Sequence, residues 1–124
     1  MYYLSKYRFK NLSIPKVIME EDKSVLVLYI GDTPIIRIMD FLLENRLFDY
    51  SKKQIIEETG LAKATFYKYW ERLVELKIVK VTRTFGKTKL YKLDEQNPVV
   101  KRLKDLELAL IEITAPSAVK AMPA

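Results

Sequence analysis

The sequence contains no cysteine and no histidine. The first absence excludes disulfides, thiolate metal sites and cysteine nucleophiles. The second removes the commonest general base and the commonest transition-metal ligand. Among the acids and the Ser, Thr and Lys residues, no motif assignable to catalysis stands out, so an enzyme is not expected and no cofactor or metal is implied. No apolar run approaches the roughly 20 residues of a membrane span. Met1 to Lys10 holds no apolar signal-peptide core, and a cytoplasmic protein is the expectation. Asparagine and glutamine together number five (Asn11, Asn45, Asn97, Gln54, Gln96) beside abundant Lys, Glu, Ile and Leu. That economy resembles thermophile usage, and an AT-rich genome would produce much the same bias.

What the chain does have is positive charge in one place. At 124 residues and 49% hydrophobic it can bury one core, with extensions. Its net charge is +6, yet residues 51–93 hold eleven Lys/Arg against four Glu, a local +7. Everything outside that window is close to neutral. A field focused in this way is the footprint of a nucleic-acid contact face, whereas a uniformly basic surface is not.

Residues 1–30 form a basic, aromatic segment in which Tyr2, Tyr3, Tyr7 and Phe9 interleave with Lys6, Arg8 and Lys10. Lys16 to Glu20, the polar Glu21 to Ser24, and Val25 to Ile30 read as strand, turn, strand: an N-terminal β-hairpin. Such a hairpin is marginal alone and must pack on the helices or on a second subunit. Thr33-Pro34 then opens a helix over about 34–46, its apolar side formed by Ile35, Ile38, Met39, Leu42 and Leu43. Ser51-Lys52-Lys53-Gln54 is a capping box with Tyr50 and Ile55 as a hydrophobic staple, and Gly60 suits the left-handed residue that ends a helix, so a second helix covers 52–59. After Gly60-Leu61-Ala62 a third runs to about Leu76, burying Phe66, Tyr69, Trp70, Leu73 and Val74. Two alternating runs, 78–84 and 89–93, flank Phe85 to Thr88 and spell a β-hairpin. Asn97-Pro98 opens a last helix, in which Val99, Leu103, Leu106, Leu110 and Ile113 keep heptad spacing.

Two helices joined by a short Gly-containing turn describe a helix-turn-helix, whose second helix enters the major groove. On its outward face Lys63, Lys68 and Arg72 can reach phosphates or base edges, and Thr65 and Tyr67 can add hydrogen bonds or methyl contact. Lys52 and Lys53 start the preceding helix, where cations oppose the helix dipole; a phosphate partner would explain them. Arg83, Lys87 and Lys89 give the hairpin tip the same character.

Thr33 to Leu93 resembles the winged helix-turn-helix domain of MarR-like and ArsR-like prokaryotic regulators. The similarity to archaeal members rests on Tyr50-Ser51-Lys52-Lys53-Gln54-Ile55-Ile56, on Thr59 to Tyr67 and on Leu73 to Val79. The resemblance implies that residues 63–76 are a recognition helix and the hairpin a wing. Two positions depart from the family pattern. Ala62 stands where a Ser or Thr cap is usual, at a cost of roughly 1 kcal/mol. Lys77 stands where Gly usually ends the helix, at roughly another. The metal-sensing thiolates and imidazoles of ArsR-like proteins have no counterpart.

The expected architecture is thus α+β, mainly α: an N-terminal segment with β-hairpin (1–30), a winged helix-turn-helix (31–93), a C-terminal dimerisation helix (94–114) and a disordered tail (115–124). The stripe at Val99, Leu103, Leu106, Leu110 and Ile113 either pairs two subunits or folds back on its own domain, and terminal helices of such regulators often pair. Tyr2 to Lys16 is either a DNA-reaching arm or a strand in the dimer. The expected function is sequence-specific binding of double-stranded DNA by a homodimeric transcriptional repressor. A plasmid partition or replication factor, and a winged-helix module for protein partners, are the alternatives. Neither an operator nor a small-molecule effector can be read from these residues.

Overall fold

The computed structural model describes residues 24–114, and over these the chain is mixed α/β: five helices and one antiparallel hairpin. In chain order they are α1 (Val25–Ile30), α2 (Pro34–Glu44), α3 (Lys52–Thr59), α4 (Lys63–Glu75), β1 (Val79–Phe85), β2 (Thr88–Leu93) and α5 (Pro98–Thr114).

The first element corrects the sequence reading. Val25 to Ile30, expected as the second strand of an N-terminal hairpin, is a helical turn and a half. Ser24 caps it, its side chain accepting from the Val27 amide at 3.2 Å, and Gly31 ends it at φ 129°. A short, continuously apolar run has no period that separates a buried strand from a buried helix, and here the cap decides. The expected first strand, 16–20, the basic arm and the 115–124 tail lie outside the described residues.

The other elements follow their local chemistry closely. Thr33 caps α2 with Pro34 in its first turn, and the helix stops at Glu44, two residues earlier than its apolar pattern suggests. There the Asn45 side chain donates back to the Phe41 carbonyl at 2.8 Å. The capping box of α3 is complete: Ser51 Oγ accepts from the Gln54 amide, and Gln54 Oε1 accepts from the Ser51 amide at 2.8 Å. Gly60 ends α3 in the left-handed conformation, φ 70°. Ala62 offers α4 no side-chain cap. Lys77 takes φ 58°, while the Ile78 amide donates to the Leu73 carbonyl and the Lys77 amide to that of Val74. A lysine therefore does the work usually left to glycine in this type of helix ending.

One core joins these elements. Leu26 and Val27 of α1, Ile38, Phe41, Leu42 and Leu43 of α2, Ile55 of α3 and Phe66, Trp70 and Leu73 of α4 are all buried. Ile78, Val79, Tyr91 and Leu93 add the base of the hairpin; Val100 and Leu103 add α5. Each such side chain contributes about 1.5–3 kcal/mol by leaving water. Arg37 closes the α2–α3 junction by pairing with Asp32 and donating to the Thr59 carbonyl at the end of α3.

The hairpin is pinned at both ends. At its base, Tyr50 and Tyr91 exchange backbone hydrogen bonds of 2.9 and 2.8 Å, tying β2 to the segment that enters α3. At its tip Phe85 pairs with Thr88 around Gly86-Lys87, and Gly86, at φ 57°, supplies the positive φ that a two-residue turn needs. Between them a bulge at Thr82 shifts the register, so that Val81 faces Tyr91 and Arg83 faces Leu90.

Helix α5 divides its heptad stripe. Leu103 is buried and Leu110 packs against the core, so these two of the five residues assigned to dimerisation serve the chain's own fold. Val99, Leu106 and Ile113 stay 48%, 39% and 77% exposed, seven residues apart along one line. No helix among the described residues is long and apolar enough to cross a membrane.

Candidate nucleic-acid interface

The capping box fixes where α3 begins, and with it the place of Lys52 and Lys53. These two lysines, Ser51, Tyr67 of α4 and Lys87, Thr88 and Lys89 of the hairpin tip line one concavity of about 250 Å³. Two pairs of lysines, distant from each other in sequence, thus share one small volume at the start of a helix. The dipole of α3 points its positive end the same way, so all the local fields favour an anion there. Cations crowded in this way are tolerable when solvated and are relieved further by a polyanion.

Tyr67 is the shared wall. It also lines a neighbouring cavity of about 360 Å³ with Lys53, Ile56, Glu57 and Lys63, between α3 and the first turns of α4. Lys63 therefore joins the group through α4. Lys68 and Arg72 lie on another flank: the Lys68 Nζ and the Arg72 guanidinium stand 5.6 and 5.0 Å from the centre of the Tyr69 ring. The ring holds both exposed cations beside the helix, at a gain of about 0.5–1 kcal/mol for each exposed contact. Thr65 is only half exposed.

Arg83 behaves differently from the other cations. Its guanidinium donates two hydrogen bonds to Asp49, both 2.8 Å, and the Thr82 hydroxyl donates to the same carboxylate at 2.6 Å. The Arg83 bonds, aided by Thr82, draw the Asp49 carboxyl from its ordinary 3.8 to about 2, and Asp49 in turn raises the Arg83 guanidinium. Arg83 is thus a clamp on the bulge, and its charge is largely answered within the chain. Asp49 lies just outside the 51–93 window, so the basic excess in space is smaller than along the sequence.

Sequence reasoning missed three participants. Asp49 gave no signal, because its partners are 33 and 34 residues away. Glu71 and Glu75 line a third cavity, about 540 Å³, with Lys52, Tyr67, Trp70, Val74 and Tyr91. Their spacing from Tyr67 along α4 was the available clue, since residues four apart share a helix face. The basic face accordingly carries an acidic margin on the β2 side of α4.

Among the described residues, no group of three potential ligands is placed to hold a metal ion. Against family models, curated proteins and solved structures, the chain has no match.

Proposed function

We propose that this protein binds double-stranded DNA through a winged helix-turn-helix, with α4 as the recognition helix and the β1–β2 hairpin as the wing, and acts as a homodimeric transcriptional repressor. The observation that carries the reading is the convergence of Lys52, Lys53, Lys87 and Lys89 on one concavity beside α4. A phosphate backbone following that concavity would meet the start of α3 and the hairpin tip together. Lys63, on the adjoining cavity, and the outward Lys68 and Arg72 then extend the contact along α4. Arg83 contributes by stiffening the wing.

Pairing of subunits is supported by α5. Val99 and Leu106 join Met39, Pro98, Arg102 and Leu103 around an apolar groove of about 390 Å³, and Ile113 continues the exposed line. Two copies joined there would carry two recognition helices toward half-sites about one turn, roughly 34 Å, apart.

Fluorescence anisotropy with a random duplex and with the chain's own upstream region tests the reading. Binding should be visible at about 50 mM salt and should fall steeply as salt rises. Lys63→Ala and Lys68→Ala should weaken it more than Lys104→Ala on α5, whose side chain is paired at 2.8 Å with Glu95 in the turn before that helix. Absence of binding at low salt would end the DNA reading.

A further inference from the structure

The third cavity has a chemistry that DNA binding does not use. Two of its walls are aromatic and rigid: Trp70 is 3% exposed, and its ring meets that of Tyr91 edge-on, centres 5.0 Å apart at 87°. Tyr67 adds a third ring, while Glu71 and Glu75, one helical turn apart on α4, add two carboxylates. Val74 completes an apolar patch between them. Aromatic faces carry negative quadrupoles, so rings and carboxylates together favour a positively charged guest with apolar substituents.

The chain already reports this preference. Lys52 Nζ lies 5.5 Å from the Tyr67 ring centre and 6.0 Å from that of Tyr91. Both distances fall at the outer end of the range, about 6 Å, over which a ring face attracts a cation. Of the seven described residues around the cavity, Lys52 is the one cation, and it also lines the lysine concavity on the other side. The cavity's volume, about 540 Å³ with Lys52 in place, is that of a small-molecule site.

We propose that the space between α4 and β2 is a binding site for a small alkylammonium compound, a quaternary or substituted amine. Its charged head packs against the exposed Tyr67 ring, over a floor made by the buried Trp70 and Tyr91, and Glu71 and Glu75 balance its charge. The guest competes with Lys52 for the ring faces and turns that lysine toward the concavity it shares with Lys53, Lys87 and Lys89. Because Lys52 borders both spaces, occupancy of one alters the charge presented by the other. The guest is thereby an effector of whatever anion the lysines hold.

Trp70 is the only tryptophan, so its fluorescence reports the site without a label. The probe is choline, titrated into the full-length protein beside its neutral isostere 3,3-dimethylbutan-1-ol. Choline should give a saturable change and the isostere none. Glu71→Gln combined with Glu75→Gln should weaken choline about tenfold, and Lys52→Met, which keeps the aliphatic stem, should tighten it severalfold. Both substitutions fall on exposed or half-exposed positions, and the wild-type comparison of the two probes stands even if a variant misfolds. Equal responses to the two probes, or no saturable response to millimolar choline, would overturn the proposal. No arm of the experiment contains DNA, so its result is independent of the function proposed above.

Discussion

The hairpin and α5 are attached to the same helical core and turn opposite chemistry outward. The hairpin buries Val79, Tyr91 and Leu93 at its base and presents Thr84, Lys87 and Lys89 toward its tip. Helix α5 buries Val100 and Leu103 and presents Val99, Leu106 and Ile113. Near its middle the hairpin needs an ion pair, Asp49 with Arg83, because a two-stranded ribbon has too little apolar area to hold itself. The helix is held by an internally satisfied backbone and its buried side chains, and its ion pairs, Lys104 with Glu95 and Arg102 with Asp105, lie toward solvent. The difference teaches that the inner face of an appended element is set by the core it joins. The outer face is free to suit what the element would meet: under the proposed function, a polyanion on one side and an apolar surface on the other.

The sharpest test of that contrast lies within α5. Leu103→Ala should cost about 2–4 kcal/mol in denaturant unfolding, because it opens a void in the core. Leu106→Asp should change stability little and should convert dimers to monomers in light scattering. An unchanged mass would mean that the exposed line of α5 has no partner copy.

A smaller effect should distinguish the hairpin's ion pair from its apolar base. Asp49→Asn should raise amide exchange at Leu90 and around the bulge while leaving Tyr91 and Leu93 protected. The pH dependence has a definite sign. The Asp49 carboxyl is lower in the folded chain, at about 2, than its ordinary 3.8. Its contribution is therefore complete above about 4 and disappears as the pH falls through the folded value. An NMR titration of the Asp49 carboxyl should place its midpoint near 2 in the wild type. A midpoint near the ordinary value would mean the clamp is open in solution.

The smallest expected change is at Lys77, in the link between α4 and the hairpin. Lys77→Gly removes the cost of a side chain at φ 58° but adds backbone freedom to the unfolded chain. The two nearly offset, and a net gain of about 0.5 kcal/mol in thermal unfolding is expected. A loss would mean that the lysine stem packs usefully where it stands.

Much of this arrangement was legible in the sequence, for reasons that are local. The capping box at Ser51 and Gln54, Gly60 after α3, Thr33-Pro34, and a Gly in the hairpin turn all act within four or five residues. They announced α2 to α5 and both strands within two or three residues of their ends. Helix α1 was misread because Val25 to Ile30 has no period to read, and because Ser24 was taken for part of a turn. Clustering of Lys52 and Lys53 with Lys87 and Lys89 was foreseeable only in kind, through charge, while their common concavity depends on how the hairpin leans on α3. The Asp49–Arg83 clamp, the lysine between Tyr67 and Tyr91, and the division of the α5 stripe are products of tertiary packing. Nothing within a few residues of each could have announced them.

Asn97 has a consequence for how the molecule can move. Its side-chain amide donates to the carbonyls of Leu76 and Lys77, each at 2.8 Å, just before β1 begins. Its own oxygen accepts from the Val99 amide, and its backbone carbonyl from that of Lys101, at the start of α5. One residue is therefore the pivot of two levers. A torque that swings α5 must either carry the root of the hairpin with it or break these bonds. Strain applied to the long helix is thereby felt at the ribbon through these bonds as well as through the core they share.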